Sequence, residues 1–254
     1  MNFILKYAGG HKLLINKLKR VVAFTGFNML LLLCVVKTDA QKDWNNIDRQ
    51  GMISLDTFFR KDYTLEFFNK DEFLNDSLKQ RLVETFFKVY PEEADEYNKE
   101  TTKKVVFFMD PGYKGVAATS GNIVRFNPQW FHNHPGDIDV VTHEVMHIVQ
   151  SYPGNAGPGW LTEGIADYVR YTLGVDNAGA HWSLPDFSPK QHYENAYRIT
   201  ARFLAWLEKN KLQGIVRQLD AAMRTKKYDP GIWKKLTGKS VDELWRDYAE
   251  NPAI

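Results

Sequence analysis

Two histidines four residues apart, with a glutamate directly after the first, constrain this chain more than any other feature: HEVMHIVQ, residues 143 to 150. On a helix, positions i and i+4 lie one above the other on a single face. His143 and His147 can therefore present their rings to one point. Neutral imidazole is a normal zinc ligand, and Glu144 beside them is placed to take a proton from water at such an ion. The stretch predicts a helix from about residue 138 to 151.

A catalytic zinc takes three protein ligands and keeps one position open. A third histidine six residues further on would need Gly at 150 and His at 153, but the chain has Gln150 and Pro153. The other source is a carboxylate on the next helix, and WLTEGIADYVR offers Glu163 and Asp167. Pro153-Gly154 and the Gly-Pro-Gly at 157 to 159 make a compact turn, so a helix over about 160 to 173 should run back antiparallel to the first. Glu163 would then reach the metal. Asp167, one turn on, would lie nearer His143, where a carboxylate can accept the ring's second N–H. His132 and His134 in the preceding loop are competing ligands, and His181 and His192 are weaker ones. Core histidines held in salt bridges are the alternative to a metal site.

The chain is 254 residues long, 44% hydrophobic and 25% charged, which suits one globular domain with a sizeable core. YTLEFF (63–68) and VVFFM (105–109) read as strands, and GVAATSGNIVRF (115–126) as one or two strands around Ser120-Gly121-Asn122. Leu78, Leu82, Val83, Phe86, Phe87 and Tyr90 recur at helical spacing behind a cap at Asn75 or Asp76, with Pro91 expected to kink or end that helix. The remainder reads as mainly helical, with one helix from Tyr193 to Lys209 and a last one behind the capping box Ser240/Glu243. Residues 41–60 carry no assignment, and the domain is expected over 61–254. Strands first and helices afterwards point to an α+β fold.

Residues 1–40 have a different character. A basic stretch precedes sixteen apolar residues (21–36), followed by KTDA. This is the layout of a secretory signal peptide, with cleavage expected before Gln41. An uncleaved anchor would need a longer span, and a lipid anchor would use Cys34. The expected location is secreted or periplasmic, with no stable membrane anchor after cleavage. Cys34 is the only cysteine, so an exported mature chain must be held by its core or by a metal rather than by disulfides. The leader carries six of the 33 Lys/Arg and one of the 31 Asp/Glu, which leaves the mature chain slightly acidic. No basic patch points to nucleic acid.

HEVMHIVQ, WLTEGIADYVR and YRITARFLAWLE together resemble the basic secretory protein family, zinc peptidases of the glutamate-zincin type. LKQRLVETFFKVYP, GVAATSGNIVRFNP and GKSVDELWRDY extend the likeness over roughly 60 to 250. The plant members are basic and this mature chain is not. The resemblance implies a zincin-like fold: a mixed twisted sheet packed on the His143/His147 helix, then a mainly helical half. It implies one Zn²⁺ held by His143, His147 and Glu163, with Glu144 as general base and a peptide or protein as substrate. By the same likeness, an edge strand would pair with the substrate backbone, with Ala117, Ala118 and Thr119 as contacts. Tyr197 would stabilise the oxyanion, with Tyr193 as the substitute. Two other functions stay open: a secreted binding protein on this scaffold without turnover, and an amidase acting on cell-wall peptide.

Overall fold

The computed structural model describes residues 44–254, so the signal peptide expected at 1–40 lies outside the described residues. Residues 49–254 form one compact unit. Five strands make its sheet: β1 (Ser54–Arg60), β2 (Tyr63–Asn69), β3 (Lys104–Met109), β4 (Ala117–Ser120) and β5 (Ile123–Phe126). Their order is β1-β2-β3-β5-β4. β2, β3 and β5 run parallel in the centre, while β1 and β4 are antiparallel edges. The central strands need crossovers, and the first is the 22-residue helix α1 (Asp76–Tyr97). Asn75 caps it by accepting from the Leu78 N–H at 2.8 Å. Of the two outcomes expected at Pro91, a kink or an end, the end does not occur. The helix continues to Tyr97 because Val89, Tyr90, Glu93 and Ala94 on either side of the proline are buried, so packing holds the turn whose hydrogen bond proline cannot make.

Two expectations near the N-terminal side change. Ser54–Arg60, within the stretch that carries no sequence assignment, is a full strand paired with β2, so the sheet begins before residue 61. Its apolar pattern is weak because an edge strand is only half covered, and Leu55 and Phe59 stand exposed. The loop expected ahead of the His143 helix, which carries His132 and His134, contains a short helix, α2 (Pro128–Asn133), with Asn127 as its cap.

The rest is helical, as expected in outline: α3 (Val140–Gln150), α4 (Gly159–Leu173), α5 (Tyr197–Asn210), α6 (Ile215–Arg224), α7 (Ile232–Thr237) and α8 (Val241–Glu250). The capping box at Ser240/Glu243 opens α8. Residues 174–192 are an exception, forming turns and irregular chain. Side chains rather than a helix ladder satisfy the backbone there. Asp139 accepts from the N–H groups of Val175 and Asp176 at 2.7 and 2.6 Å.

One face of the sheet (Leu65, Phe67, Phe107, Val124, Phe126) shares a core with α1 and α3. α3 is buried on almost every side, with only His147 less covered. α5 lies against α4 at a close approach. A Cβ on Gly164 would stand 2.2 Å from a Thr200 methyl, so only glycine fits at that crossing.

Glu93 is an exception within this core. It is fully buried, and neither carboxylate oxygen has a hydrogen-bond partner. Burial pushes its carboxyl well above the usual range, against a smaller opposite pull from His143. The folded state therefore keeps the proton that the unfolded chain gives up. The resulting penalty is absent below the ordinary value of 4.5 and grows as pH rises toward the raised one. Glu93→Leu is expected to stabilise the protein at pH 7 by about 1–3 kcal/mol, and by less at pH 4. Urea unfolding at the two pH values measures this; a gain independent of pH would show that Glu93 ionisation is not the cause.

Candidate metal centre

His143 and His147 sit one turn apart on α3. α3 closes on Ser151 in the left-handed conformation, and the Pro/Gly turn leads into α4. The two helices run antiparallel: the end of α3 meets the start of α4, where Gln150 Nε2 donates to the Thr162 carbonyl at 2.9 Å. His143, two turns earlier, meets Asp167. Between these contacts Glu163 faces both rings. Its Oε2 lies 3.3 Å from His143 Nε2 and 3.5 Å from His147 Nε2, and the two Nε2 atoms are 3.2 Å apart.

The hydrogen bonds behind the rings determine which nitrogens face this point. Asp167 Oδ1 lies 2.7 Å from His143 Nδ1, and Gln150 Oε1 lies 2.7 Å from His147 Nδ1. The Gln150 amide cannot be reversed, because its nitrogen is committed to a carbonyl. Both partners are acceptors, so both Nδ1 atoms carry the hydrogens and both Nε2 lone pairs point at a carboxylate. Three acceptors converging in this way require positive charge between them. The same field acts on a proton: burial would lower His143, but the acceptors Asp167 and Glu163 outweigh it and push the ring up to about 10, so that without a bound cation a proton takes its place at Nε2. Burial would raise Glu163, but His143 and His147 hold it below the usual carboxylate range.

A tetrahedral ion with bonds of about 2.0–2.1 Å has ligand–ligand edges of about 3.3–3.4 Å. The three donor separations match that triangle, so the residues fit zinc. Among the described residues, His143, His147 and Glu163 are the group placed to hold a metal.

The other described histidines do not join the donor triangle. His132 bonds Asp71 at 2.8 Å beside Phe73, and His192 caps the 3-10 turn Tyr193–Asn195. His134 and His181 line the same cleft but are not part of the metal-ligand group.

The cleft above the three donors, about 1110 Å³, has room for several residues of an extended chain. Glu144 is buried on its floor. β4 is one wall. Its register with β5 and the Asn127 N–H to Val116 carbonyl bond (3.0 Å) set the alternation: Val116, Ala118 and Ser120 turn their backbone groups to β5. Ala117 and Thr119 turn theirs to the open edge. Ala118 is therefore corrected: its backbone is committed to the sheet and cannot serve as a backbone contact for substrate. The Ala117 carbonyl already accepts from the Tyr113 hydroxyl at 3.1 Å.

Tyr197 is on the opposite wall, 54% exposed, its ring 6.1 Å from that of His143 and nearly parallel to it. Glu163 foremost, then burial and the other nearby carboxylates, raise its phenol above the ordinary value, so it remains a proton donor at neutral pH. Tyr193 is not a substitute. It is buried among Trp160, Phe203 and Trp245, and its hydroxyl bonds Asp242 at 2.7 Å. The single helix expected over 193–209 is in fact broken between the two tyrosines, where Ala196 and Tyr197 both have positive φ (62° and 50°). Backbone of this kind is costly for non-glycine residues and persists where surrounding structure holds it. Here buried Thr200 bonds the Tyr193 carbonyl and packs on Gly164. The break turns Tyr197 into the cleft while Tyr193 stays in the core.

Sequence reasoning missed Gln150, Tyr113 and the Thr119 side chain. Gln150 had a legible signal, since i+3 from His147 shares its helix face. The other two reach the site across the sheet edge, and no local spacing reveals that.

A search of curated proteins gives no match. Among solved structures, the chain is similar to an aminopeptidase N family protein from Idiomarina loihiensis (TM-score 0.46, 10% identity, covering 79% of this chain and 47% of that one). It is also similar to a two-domain M1 zinc metallopeptidase, an E323A mutant bound to L-tryptophan (TM-score 0.46, 14% identity, 79% and 52%). The chain spans about half the length of each. The pattern of the family described as "Peptidase of plants and bacteria" matches residues 57–248, most of the chain, taking in the sheet from Thr57 and both helices that carry the donor triangle. On that match the chain belongs to this peptidase family.

Proposed function

We propose that the chain is an exported zinc-dependent peptidase of the glutamate-zincin type. The supporting observation is the triangle of His143 Nε2, His147 Nε2 and Glu163 Oε2, with separations of 3.2, 3.3 and 3.5 Å, beside the buried Glu144. A zinc ion held there supplies a Lewis acid that makes water acidic and polarises a peptide carbonyl. Glu144 takes the proton from the attacking water and delivers it to the leaving amine nitrogen. Tyr197 donates its hydroxyl hydrogen bond to the carbonyl oxygen as negative charge builds there. Asp167 and Gln150 hold the two imidazoles with Nε2 forward. The open edge at Thr119 receives the substrate backbone as an added strand. Export rests on the leader at 1–40. Among the described residues no helix is long and apolar enough to cross a membrane.

The test is cleavage of an unbiased peptide mixture by the purified protein, with zinc content measured, after chelation and after zinc is restored. Turnover that vanishes and returns with zinc is expected. Zinc bound without turnover would shift the reading to a binding protein, and turnover only on cell-wall peptide would shift it to an amidase. Asp167→Ala is expected to weaken zinc binding by about 10- to 100-fold, read by competition with a chelator; an unchanged Kd would remove Asp167 from support of the metal site.

A further inference from the structure

We infer that Thr119 is the positioning residue for Glu144, joining the substrate-binding edge to the proton-transferring carboxylate through one side chain. The inference rests on the peptidase reading above. Thr119 Oγ1 lies 2.7 Å from Glu144 Oε2 and 2.9 Å from the Glu144 carbonyl oxygen. Its single hydroxyl hydrogen thus sits between the carboxylate and the backbone of the same residue. That arrangement fixes the glutamate side chain relative to its own helix, which a lone bond to a distant group would not do.

The location gives the contact its consequence. A glutamate side chain has three torsions, and in an open cleft its carboxylate would sample several of their combinations. General base catalysis needs the oxygen within hydrogen-bond reach of the water it deprotonates, and misplacement by about 1 Å can cost about 100-fold. β4 alternates, so the side chain of Thr119 faces α3 while its N–H and C=O face the open edge. A peptide added at that edge hydrogen-bonds the backbone of the same residue whose hydroxyl holds the base. Substrate strand and base are thereby registered by a single Cα. The pairing does not depend on the hydroxyl, so the two roles can be separated by substitution. Valine keeps the β-branched shape that suits a strand and removes only the donor, while serine keeps the donor.

Thr119→Val is expected to lower kcat by about 10- to 100-fold with KM within about threefold, and Thr119→Ser to bring kcat back to within about threefold of wild type. Crystal structures of the zinc-loaded wild type and Thr119→Val supply a second reading. Glu144 is expected in one rotamer against Thr119 in the first, and displaced or split between rotamers in the second. If Thr119→Val does not fold, Thr119→Ala removes the same donor by truncation, placing no methyl against the carboxylate, and carries the same expectation. Glu144 keeping its rotamer without the hydroxyl, or kcat unchanged once the rotamer is lost, overturns the inference. A fall in kcat that Thr119→Ser fails to restore also overturns it, since that marks a packing role. Wild-type protein that cleaves no peptide, with Glu144 still losing its rotamer in Thr119→Val, leaves the positioning intact and removes the peptidase reading instead.

Discussion

Glu144→Gln is expected to lower kcat/KM for peptide cleavage by about 10²- to 10⁴-fold while the protein keeps its zinc. The two halves of this result have different causes. The amide is nearly the same shape as the carboxylate, and its oxygen can still accept from the Thr119 hydroxyl, so the local packing survives. Glu144 is not one of the three converging donors, so the metal triangle of His143, His147 and Glu163 is left whole. An amide cannot take up a proton at neutral pH, and the transfer from water to the leaving amine is lost. Steady-state kinetics together with zinc content on the same sample checks both halves. Wild-type turnover in Glu144→Gln would remove the proposed mechanism, and loss of zinc would mean that the glutamate supports the metal as well.

The second large effect lies in the wall of the same cleft. Asp137→Ala is expected to destabilise the fold by about 3–5 kcal/mol, because it leaves a buried guanidinium without its counter-charge. Arg170 Nη2 donates to Asp137 Oδ1 at 2.5 Å, with side-chain exposures of only 6% and 10%. The other Asp137 oxygen accepts from Trp130 Nε1 at 2.9 Å, so a second, partly buried donor loses its partner too. Arg170 also donates to Asn177 at 3.1 Å and lies over the Trp182 ring at 4.6 Å. It is therefore the post on which residues 177–182 are hung beside the cleft. Asp137→Asn keeps an acceptor and should cost clearly less than the alanine variant. Urea unfolding of the two variants measures the difference; equal losses would mean that the counter-charge alone, and not a neutral acceptor or packing, is what Asp137 provides.

How far the sequence could be read depended on the range of the interaction. The helix of His143 and His147 follows from local rules, since i and i+4 share a face wherever a helix forms. The return of Glu163 and Asp167 follows from one more local fact, a short Pro/Gly turn, which leaves the second helix little choice of direction. The central strands and the caps at Asn75 and Ser240 follow from alternation and from donors that must be satisfied within a few residues. Ser54–Arg60 escaped because an edge strand shows a weak pattern when only half of it is covered. Residues 174–192 escaped because their backbone is satisfied by side chains such as Asp139 and Asp176 and by single turns, bonds that no periodicity records.

By itself, then, the sequence determined the α+β class, the pair of helices that bear the candidate ligands and the residues that can meet between them. Tertiary structure alone decided three further things. It committed the Ala118 backbone to the sheet and left that of Thr119 open, because strand register is set by pairing with β5 rather than by composition. It separated Tyr193 from Tyr197, because a strained joint at Ala196, held by Thr200 against Gly164, breaks what reads as one helix. And it laid the Thr119 hydroxyl on Glu144, 25 residues away in sequence, because the sheet edge and the helix pack against each other and bring together groups that local spacing cannot relate.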